Sequence, residues 1–501
     1  MIRSLLIAAV LALTGCASMP DPARRAQDAF AAARDNPVAL RAFLERFPKG
    51  SDLHNHLSGA VYAESYVGWA AEDGLCVTPD LALAPGPCAA PNRPAADALR
   101  SQPLYDGLVR AFSMHDFVPT PGMPSGHAQF FATFGRFAAA AGPARTPDML
   151  AEVVDRNARQ NVLYLEPMIL LGAFEAIGRS AGLAPSSDDF AALDARIRAA
   201  GVYDLVPGQI AELDRVEAAL RDRLGCAGPA ARPGCAVTNR YILQVLRNAP
   251  APAVFAQIAL SMALIKADPR IVAVNLVAPE DALIARRDYT LHMRMLQYLG
   301  ARFDGVPVTL HAGELTLGLV PPDDLRFHIR QAIEIAGARR IGHGVAIAYE
   351  DDRAGLLRLM AERRVAVEIN LTSNDVILGV KGKDHPFRTY REAGVPVTIS
   401  TDDEGVSRSD LTNEYQRAVQ EQGVDYAGLK QLARNALEYS FLPGASLWSS
   451  PLFEGYVAAC RGEGPAAAPS AQACRDFLAA SPKAREQWRH EGLMTTFEAS
   501  F

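Results

Sequence analysis

Residues 51–56 read Ser-Asp-Leu-His-Asn-His, a short run that ends on two alternate histidines. Seven further short runs, rich in apolar and β-branched residues, follow it at 162–169, 241–246, 271–277, 306–311, 340–345, 365–371 and 395–401. Longer segments with helical periodicity, such as 325–336 and 353–363, lie between most of these runs. Eight strands alternating with helices predict an α/β fold, a (β/α)8 barrel of the TIM type.

Two intervals between the predicted strands are too long for a simple helical crossover, about 62–160 and about 170–240. We therefore expect insertions after strands one and two, and a helical extension after the barrel at the C-terminus. The predicted domains are a signal peptide at 1–15, a tether and N-terminal helix at 16–50, the barrel with its insertions at 51–445, and the extension at 446–501.

Composition excludes several classes of protein. The 501 residues include 50 Lys and Arg against 56 Asp and Glu, which gives a net charge of -6, and no basic block is visible. This balance argues against a nucleic-acid partner. With 49% hydrophobic and 21% charged residues the chain is not mainly disordered. No apolar run reaches the roughly 18 residues of a spanning helix, which argues against a polytopic membrane protein.

The N-terminus resembles an export signal. A basic Arg3 precedes a nine-residue apolar run at 5–13, and Leu13-Thr14-Gly15-Cys16 is similar to a bacterial lipobox. The resemblance implies that Cys16 is lipidated and anchors the chain to a membrane surface at the cell envelope. Ala17 follows the cysteine, which indicates the outer membrane. The alternative is a cleaved secretory signal in which the cysteine is incidental.

Six further cysteines form three local pairs in or beside stretches rich in Gly, Pro and Ala: Cys76 and Cys88, Cys226 and Cys235, Cys460 and Cys474. An even number of cysteines in an exported chain predicts disulfides within these pairs. A cysteine zinc site would need C-x₂₋₄-C spacing, which the sequence lacks. Free buried thiols remain the other alternative.

Histidines and acidic residues end four of the predicted strands, in the segments 54–56, 311–314, 342–344 and 401–403. Taken alone, an H-x-H is often a surface or core feature, and two aspartates after a strand usually form a turn or a helix cap. Functional side chains of a parallel barrel gather at the carboxyl ends of its strands. Three imidazoles and one carboxylate there suit a Zn²⁺ ion that keeps room for a water.

Five segments resemble, in order, motifs of the adenosine deaminase family of metal-dependent amidohydrolases. They are PKGSDLHNHLSGA at 48–60, LHAGE at 310–314, IGHG at 341–344, LTSN at 371–374 and STDDE at 400–404. The resemblance covers about 54–439. The export signal, the insertion before strand two and NLVAPED at 275–281 are similar to the secreted growth-factor branch of that family.

The resemblance assigns roles to individual residues. It implies one Zn²⁺ per chain, and its ligands are His54, His56, His311 and Asp402. It makes Glu314 the proton donor to the purine ring, with His343 and Asp402 acting on the attacking water. It places Asp403, Gly313, Ala278 and Ser58 against the substrate. The implied reaction is the deamination of adenosine, and of 2'-deoxyadenosine, to the inosine product and ammonia.

Two positions depart from the family, because Ala278 stands where Gly is usual and Ser58 where an acidic residue touches the sugar. The open alternatives are an enzyme for another aminopurine and a silent lipoprotein that binds a nucleoside or a receptor. A purine nucleoside is the predicted partner, and the oligomeric state stays open. We expect His385 to be a core or supporting histidine, with a ligand as the alternative. Phe130, Phe131 and Phe134 have helical spacing, so we expect them in the core, with a substrate gate as the alternative.

Overall fold

The computed structural model describes residues 21–173, 177 and 188–501. The predicted signal peptide and the lipidation site Cys16 lie outside these residues. In the part of the chain that is described, no helix has both the length and the apolar character to cross a bilayer.

Eight parallel strands lie where the sequence predicts them. They are β1 (Gly50–His56), β2 (Val162–Ile169), β3 (Tyr241–Leu246), β4 (Ile271–Val277), β5 (Thr309–Ala312), β6 (Arg340–His343), β7 (Ala366–Ile369) and β8 (Val397–Ile399). The first four pair in the order β1-β2-β3-β4 and the last four in the order β5-β6-β7-β8.

Two bridges join these half-barrels into a closed ring. Val274 of β4 pairs in parallel with Val308, just before β5. At the other seam, the amide of His56 donates to the carbonyl of Asp402 at 3.1 Å, and the amide of Asp402 donates to the carbonyl of His54 at 2.8 Å. This closed ring of eight parallel strands confirms the predicted (β/α)8 barrel.

The last four strands are shorter than the sequence predicts: β5 begins later, and β6, β7 and β8 end earlier, where the chain turns sharply at their carboxyl ends. His343 has φ of 66° and Gly344 has φ of 61°, which ends β6. Asp402, soon after β8, has φ of 57°. A helix begins at Leu371, directly after β7. Such left-handed conformations are rare for residues other than glycine, and they turn the side chains of these ends toward the barrel mouth.

Helices cover the outside of the barrel and fill the insertions. The α-helices span Pro22–Ala33, Pro37–Arg46, Leu57–Ala60, Ala63–Glu72, Gln102–Ala111, Gly126–Phe137, Thr146–Arg159, Phe190–Ala199, Val206–Arg223, Ala251–Ala267, Leu283–Arg287, Tyr289–Arg302, His328–Glu334, Arg353–Arg363, Leu371–Leu378, Phe387–Glu392, Glu404–Ser407, Leu411–Gln422, Tyr426–Glu438, Gln472–Ala480 and Pro482–Ala499. The helix expected at 325–336 is instead a 3₁₀ turn, Pro322–Leu325, followed by His328–Glu334.

The insertion between β1 and β2 contains a small antiparallel sheet, in which Cys76–Val77 pairs with both Leu83–Ala84 and Arg93–Pro94. All three predicted disulfides are present: Cys76 to Cys88, Cys226 to Cys235, and Cys460 to Cys474. Each therefore closes a short loop in an insertion or in the C-terminal extension.

The two ends of the described chain pack together on the barrel. Phe30 and Phe43, from the two N-terminal helices, lie with their ring centroids 5.6 Å apart, and Phe43 lies 5.2 Å from Phe497 of the last helix. The segment predicted as a tether thus includes two packed helices. A separate small core forms in the extension, where Cys460 and Cys474 are buried beside Trp488.

Candidate active site

Side chains from three strand ends meet at one point in the barrel mouth. The Nε2 atom of His311 lies 3.1 Å from Nε2 of His54 and 3.0 Å from Nε2 of His56. Oδ1 of Asp402 lies 3.4 Å and 3.3 Å from the same atoms of His54 and His56. The four residues predicted to bind zinc therefore direct one donor atom each into a common space.

The hydrogen bonds of these rings show that a cation belongs there. Asn275 Oδ1 accepts from the backbone amide of His311 and lies 2.9 Å from Nδ1 of that ring, so Nδ1 carries the proton. His54 Nδ1 lies 2.6 Å from the Glu368 carboxylate and carries a proton likewise. When both rings are neutral, each turns a bare Nε2 lone pair toward the other. Two lone pairs at this distance repel each other unless a cation lies between them.

The buried carboxylates of the site also favour a cation. Oδ1 of Asp402 is buried and has no hydrogen-bond partner among the described residues. Although burial opposes a charged ring, the carboxylates of Asp402 and Glu368 raise the pKa of His54 to about 10. Burial lowers the pKa of His56 to about 4, so this ring is a neutral donor at physiological pH. Three imidazoles and a carboxylate match the usual ligands of Zn²⁺.

A buried chain of charges supports His54 from behind. Glu368 on β7 also accepts from Arg340 Nε at 2.5 Å and from the hydroxyl of Thr309 at 2.8 Å. Arg340 in turn lies 2.7 Å from the carboxylate of Glu166 on β2. All three charged side chains are at most 1% exposed. A carboxylate behind a metal-binding histidine fixes the ring and makes it a better ligand.

The sequence analysis missed this chain of charges. Glu166 and Glu368 lie inside strands that are otherwise apolar, and Arg340 is the first residue of β6. A charged residue in such a strand must be paired when the strand is buried, because an isolated charge would cost several kcal/mol to desolvate. The signal was thus present, but the sequence does not show which residue pairs with which.

Glu314 lies beside the ligand cluster with its carboxyl group in a dry environment. Burial, and the negative charges of Asp402 and Glu280, raise the pKa of Glu314 well above its usual value. Its backbone amide and that of Gly313 both donate to the Glu280 carboxylate, at 2.8 Å and 3.0 Å. His328 Nδ1 lies 2.5 Å from Glu280 and supplies a counter-charge or a proton. A carboxyl group held protonated in this way can donate a proton near neutral pH.

Asp403 is the second carboxyl group with an unusual environment. Burial and the adjacent charge of Asp402 raise the pKa of Asp403 well above its usual value. A Cβ atom on Gly59 would lie 1.6 Å from Oδ1 of Asp403, so only glycine leaves room for this side chain. Oδ1 is buried and makes no hydrogen bond to the described residues, which leaves it free for a ligand.

A cavity of about 370 Å³ opens above these groups. Its polar lining comes from His56, Ser58, Gln244, His311, Glu314, His343, Asp402 and Asp403. Its apolar lining comes from Phe130, Phe131, Phe134, Leu170, Leu246, Val277, Ala278, Pro279 and Ile377. The three phenylalanines expected in the core therefore line the cavity, although Phe130 also packs into the core at 1% exposure.

The other residues singled out in the sequence lie at different distances from the cavity. Ala278 lines the cavity and has φ of 86°, so the alanine occupies a left-handed conformation that favours glycine. Its carbonyl accepts from Arg247 Nε at 2.8 Å. Gly313 is not among the residues that line the cavity, and its amide is already bound to Glu280. His385 is buried behind the site and contacts Asn374 at 2.9 Å.

Comparisons with known proteins agree with this geometry. Residues 205–447 match the sequence profile of the family described as adenosine deaminase. An adenosine deaminase of Shewanella loihica is 35% identical over 176 residues, which are 32% of this chain and 50% of that protein. An aminodeoxyfutalosine deaminase of Streptomyces coelicolor is 44% identical over 106 residues, 21% of this chain and 27% of that protein. The chain thus spans half or less of the length of these relatives.

A solved structure shares the fold across most of the chain. The adenine deaminase of Arthrobacter aurescens has a TM-score of 0.52 and 17% sequence identity, over 79% of this chain and 94% of that one. At this level of identity the likeness concerns the fold. The sequence matches support the predicted resemblance to the adenosine deaminase family.

Proposed function

We propose, from the premise that residues 205–447 carry the adenosine deaminase sequence pattern, that this protein is a zinc-dependent hydrolase of purine nucleosides. It deaminates adenosine and 2'-deoxyadenosine to the corresponding inosine and releases ammonia. The observation that carries the proposal is the convergence of His54, His56, His311 and Asp402 beside Glu314, a carboxyl group whose pKa is raised by burial.

The ligands of one Zn²⁺ per chain would be His54, His56, His311 and Asp402, whose donor atoms face a common space. Such an ion supplies a hydroxide nucleophile at neutral pH when it is bound. Glu368 and Asn275 hold the rings of His54 and His311 so that their Nε2 atoms face that space. Ser373 donates to Oδ2 of Asp402 at 2.6 Å and fixes this carboxylate.

Glu314 is the proton donor of the proposed reaction. Its carboxyl proton goes to the ring nitrogen next to the carbon that is attacked, which makes that carbon more electrophilic. The Glu280 carboxylate accepts from the backbone amide of Glu314 and holds this residue in place. The negative charge of Glu280 also favours the protonated form of the Glu314 carboxyl group. After the attack, the Glu314 carboxylate can take up the proton of the newly added hydroxyl group and pass it to the leaving amine, which departs as ammonia.

His343 and Asp403 complete the polar side of the pocket. Burial lowers the pKa of His343 to about 3, so the ring is neutral and can orient a water or a hydroxyl beside Asp402. Its Nε2 atom lies 3.9 Å from Oδ2 of Asp402. Asp403, with its raised pKa, can donate a hydrogen bond to a purine nitrogen on the opposite edge of the base.

The lining of the cavity favours a nucleoside over a nucleotide. Among the described residues that line the cavity none carries a permanent positive charge. Arg247 is buried, and its guanidinium binds the carbonyls of Ala278 and His311. A phosphate monoester would therefore lose water without gaining a cation, which is unfavourable. Apolar rings at Phe131 and Phe134 suit a base or a sugar face instead.

Another aminopurine is the alternative substrate, because one relative in the comparison is named an aminodeoxyfutalosine deaminase. A silent binding protein is less well supported. Such a protein has no need of Glu314 with a raised pKa, or of Asp403 held against Gly59.

We also propose export and attachment to the cell envelope through lipidated Cys16, at the outer membrane. The support is the Arg3 and 5–13 signal pattern in the sequence and the three disulfides, which are typical of exported proteins.

Ammonia release from adenosine, 2'-deoxyadenosine, adenine and AMP tests the proposal directly. We expect turnover of the two nucleosides with the purified protein, loss of turnover on chelation, and recovery with Zn²⁺. His311→Ala should lose both the metal and the activity. The proposal fails if the zinc-loaded protein releases no ammonia from any purine, or if the metal-free protein keeps full activity.

A further inference from the structure

His343 is connected to a second buried histidine by an asparagine. Nδ2 of Asn374 lies 2.9 Å from Nδ1 of His343, and Oδ1 of Asn374 lies 2.9 Å from Nε2 of His385. The other nitrogen of His385, Nδ1, accepts from the backbone amide of Phe387 at 3.1 Å. The three side chains are at most 3% exposed, so water does not compete for these contacts.

The backbone amide at the end of this chain fixes every proton along it. An amide N–H can only donate, so Nδ1 of His385 is an acceptor and the proton of that neutral ring lies on Nε2. The Nε2–H must meet an oxygen, which sets the orientation of the Asn374 amide. The NH2 group of Asn374 then faces Nδ1 of His343, which must be an acceptor as well. The remaining proton of neutral His343 is therefore on Nε2.

We propose that His385 and Asn374 are positioning residues that hold His343 in its Nε2–H tautomer. This tautomer turns the only N–H of the ring toward the substrate side, where Oδ2 of Asp402 lies 3.9 Å away. The opposite tautomer would leave a bare lone pair there and a proton facing Asn374. The effect on turnover rests on the proposed function, whereas the tautomer does not.

The other groups around His343 are compatible with this assignment. Oε1 of Glu314 lies 3.5 Å from Nδ1 of His343, farther than Asn374, and makes no hydrogen bond to the described residues. The rings of His54 and His311 lie with centroids 5.0 Å and 5.2 Å from the ring of His343. Nε2 of His343 likewise has no hydrogen-bond partner in the described part of the protein, so its N–H is available.

Substitution of Asn374 by aspartate reverses the polarity of the chain with little change in shape. The new carboxylate would accept from His385 Nε2–H on one side and could only accept on the other. We expect His343 to move its proton to Nδ1 in Asn374→Asp. His385→Gln keeps an amide N–H that can replace Nε2–H, so we expect the parent tautomer in that variant.

Two-bond ¹H–¹⁵N spectra of the zinc-loaded full-length protein, labelled with ¹⁵N-histidine, distinguish the two tautomers of each ring. His343 is assigned by the signal that His343→Gln removes. We expect an Nε2–H pattern in the parent at pH 7.5 and an Nδ1–H pattern in Asn374→Asp. An Nδ1–H pattern of His343 in the parent overturns the proposal. An unchanged pattern in folded Asn374→Asp overturns it too.

Kinetics separate positioning from a purely structural effect. We expect Asn374→Asp to lower kcat roughly 10²-fold or more with a small change in KM. The reason is that His343 loses its Nε2–H, which acts during proton transfer. His292→Gln is the matched control, since His292 is equally buried at 1% exposure and lies outside this chain of contacts. It should leave kcat and the His343 signals unchanged. Equal loss of kcat in both variants would overturn the role in turnover.

Discussion

The imidazole of His54 and the carboxylate of Glu368 meet at 2.6 Å inside the barrel and connect β1 with β7. This contact fixes which nitrogen of His54 faces the predicted metal. The same carboxylate binds Arg340, which also binds Glu166, so the support of one ligand extends across the interior to β2.

Glu368→Gln should lower the affinity of the protein for zinc. The amide oxygen of glutamine can still accept a hydrogen bond from His54, but it carries no negative charge. Loss of such a charged partner typically lowers metal affinity about 10–100-fold. Zinc affinity is measured by competition with a chelator. Glu166→Gln is the matched control, because it also removes a carboxylate from Arg340 but does not touch His54. Equal affinities in the two variants would contradict the proposed support.

Glu314→Gln should lower turnover of adenosine by roughly 10²–10⁴-fold, because the amide keeps the shape but cannot donate the carboxyl proton. Its zinc content should stay near one per chain, since Glu314 is not among the proposed ligands. Glu350→Gln is the control, another buried glutamate, whose pKa is raised by burial to about 7 and whose carboxylate accepts from the backbone of Ile329. Near-normal turnover in Glu314→Gln would show that the proton comes from elsewhere.

Ala278→Gly should stabilise the protein. Ala278 has φ of 86°, and a side chain in the left-handed region costs about 1–2 kcal/mol relative to glycine. Part of that gain is offset, because glycine has more freedom in the unfolded chain. We expect a net gain of about 1 kcal/mol, measured as a higher urea midpoint.

Ala138→Gly is the opposite control for this prediction. Ala138 has φ of -48° and ψ of -38°, a conformation that suits alanine, so glycine should lower the midpoint. Shifts of the same sign in both variants would contradict the explanation by backbone strain.

His292 should make the fold sensitive to acid. Burial lowers the pKa of His292 to about 4 from an unfolded value of 6.5, so the unfolded chain binds the proton first. The free energy of unfolding should therefore fall as the pH drops from about 6.5 to 4. His292→Gln removes this group, so its urea midpoint should fall less over that interval. The curves of parent and variant should run parallel above pH 7, and parallel curves at all pH values would contradict the assignment.

The barrel, and the meeting of histidines and aspartates at its strand ends, could be predicted from the sequence because both leave local signals. Strand ends carry their histidines and aspartates in short motifs such as those at 54–56 and 310–314, and alternate residues of a strand share a face. The sequence predicted β6 and β8 to extend beyond residues 343 and 399, because it does not show that His343 and Asp402 adopt positive φ.

Other features of the site depend on distant pairs. Glu280 supports Glu314 through two backbone amides, and the glycine at 59 leaves room for Asp403. Neither contact leaves a pattern in the sequence, because the partners are separated by more than 30 residues. The phenylalanines at 131 and 134 have the spacing of a core helix, and only the fold shows that this helix lies along the cavity.

The seam at which β1 meets Asp402 has a consequence for the order of events during synthesis. His54 and His56 leave the ribosome almost 350 residues before Asp402, and the backbone pairing of His56 with Asp402 needs both ends of the barrel. A loop of this length closes late, because its ends lose much entropy when they meet. The proposed ligand set is therefore complete only after Asp402 has emerged and the barrel has closed, and metal loading would follow that closure.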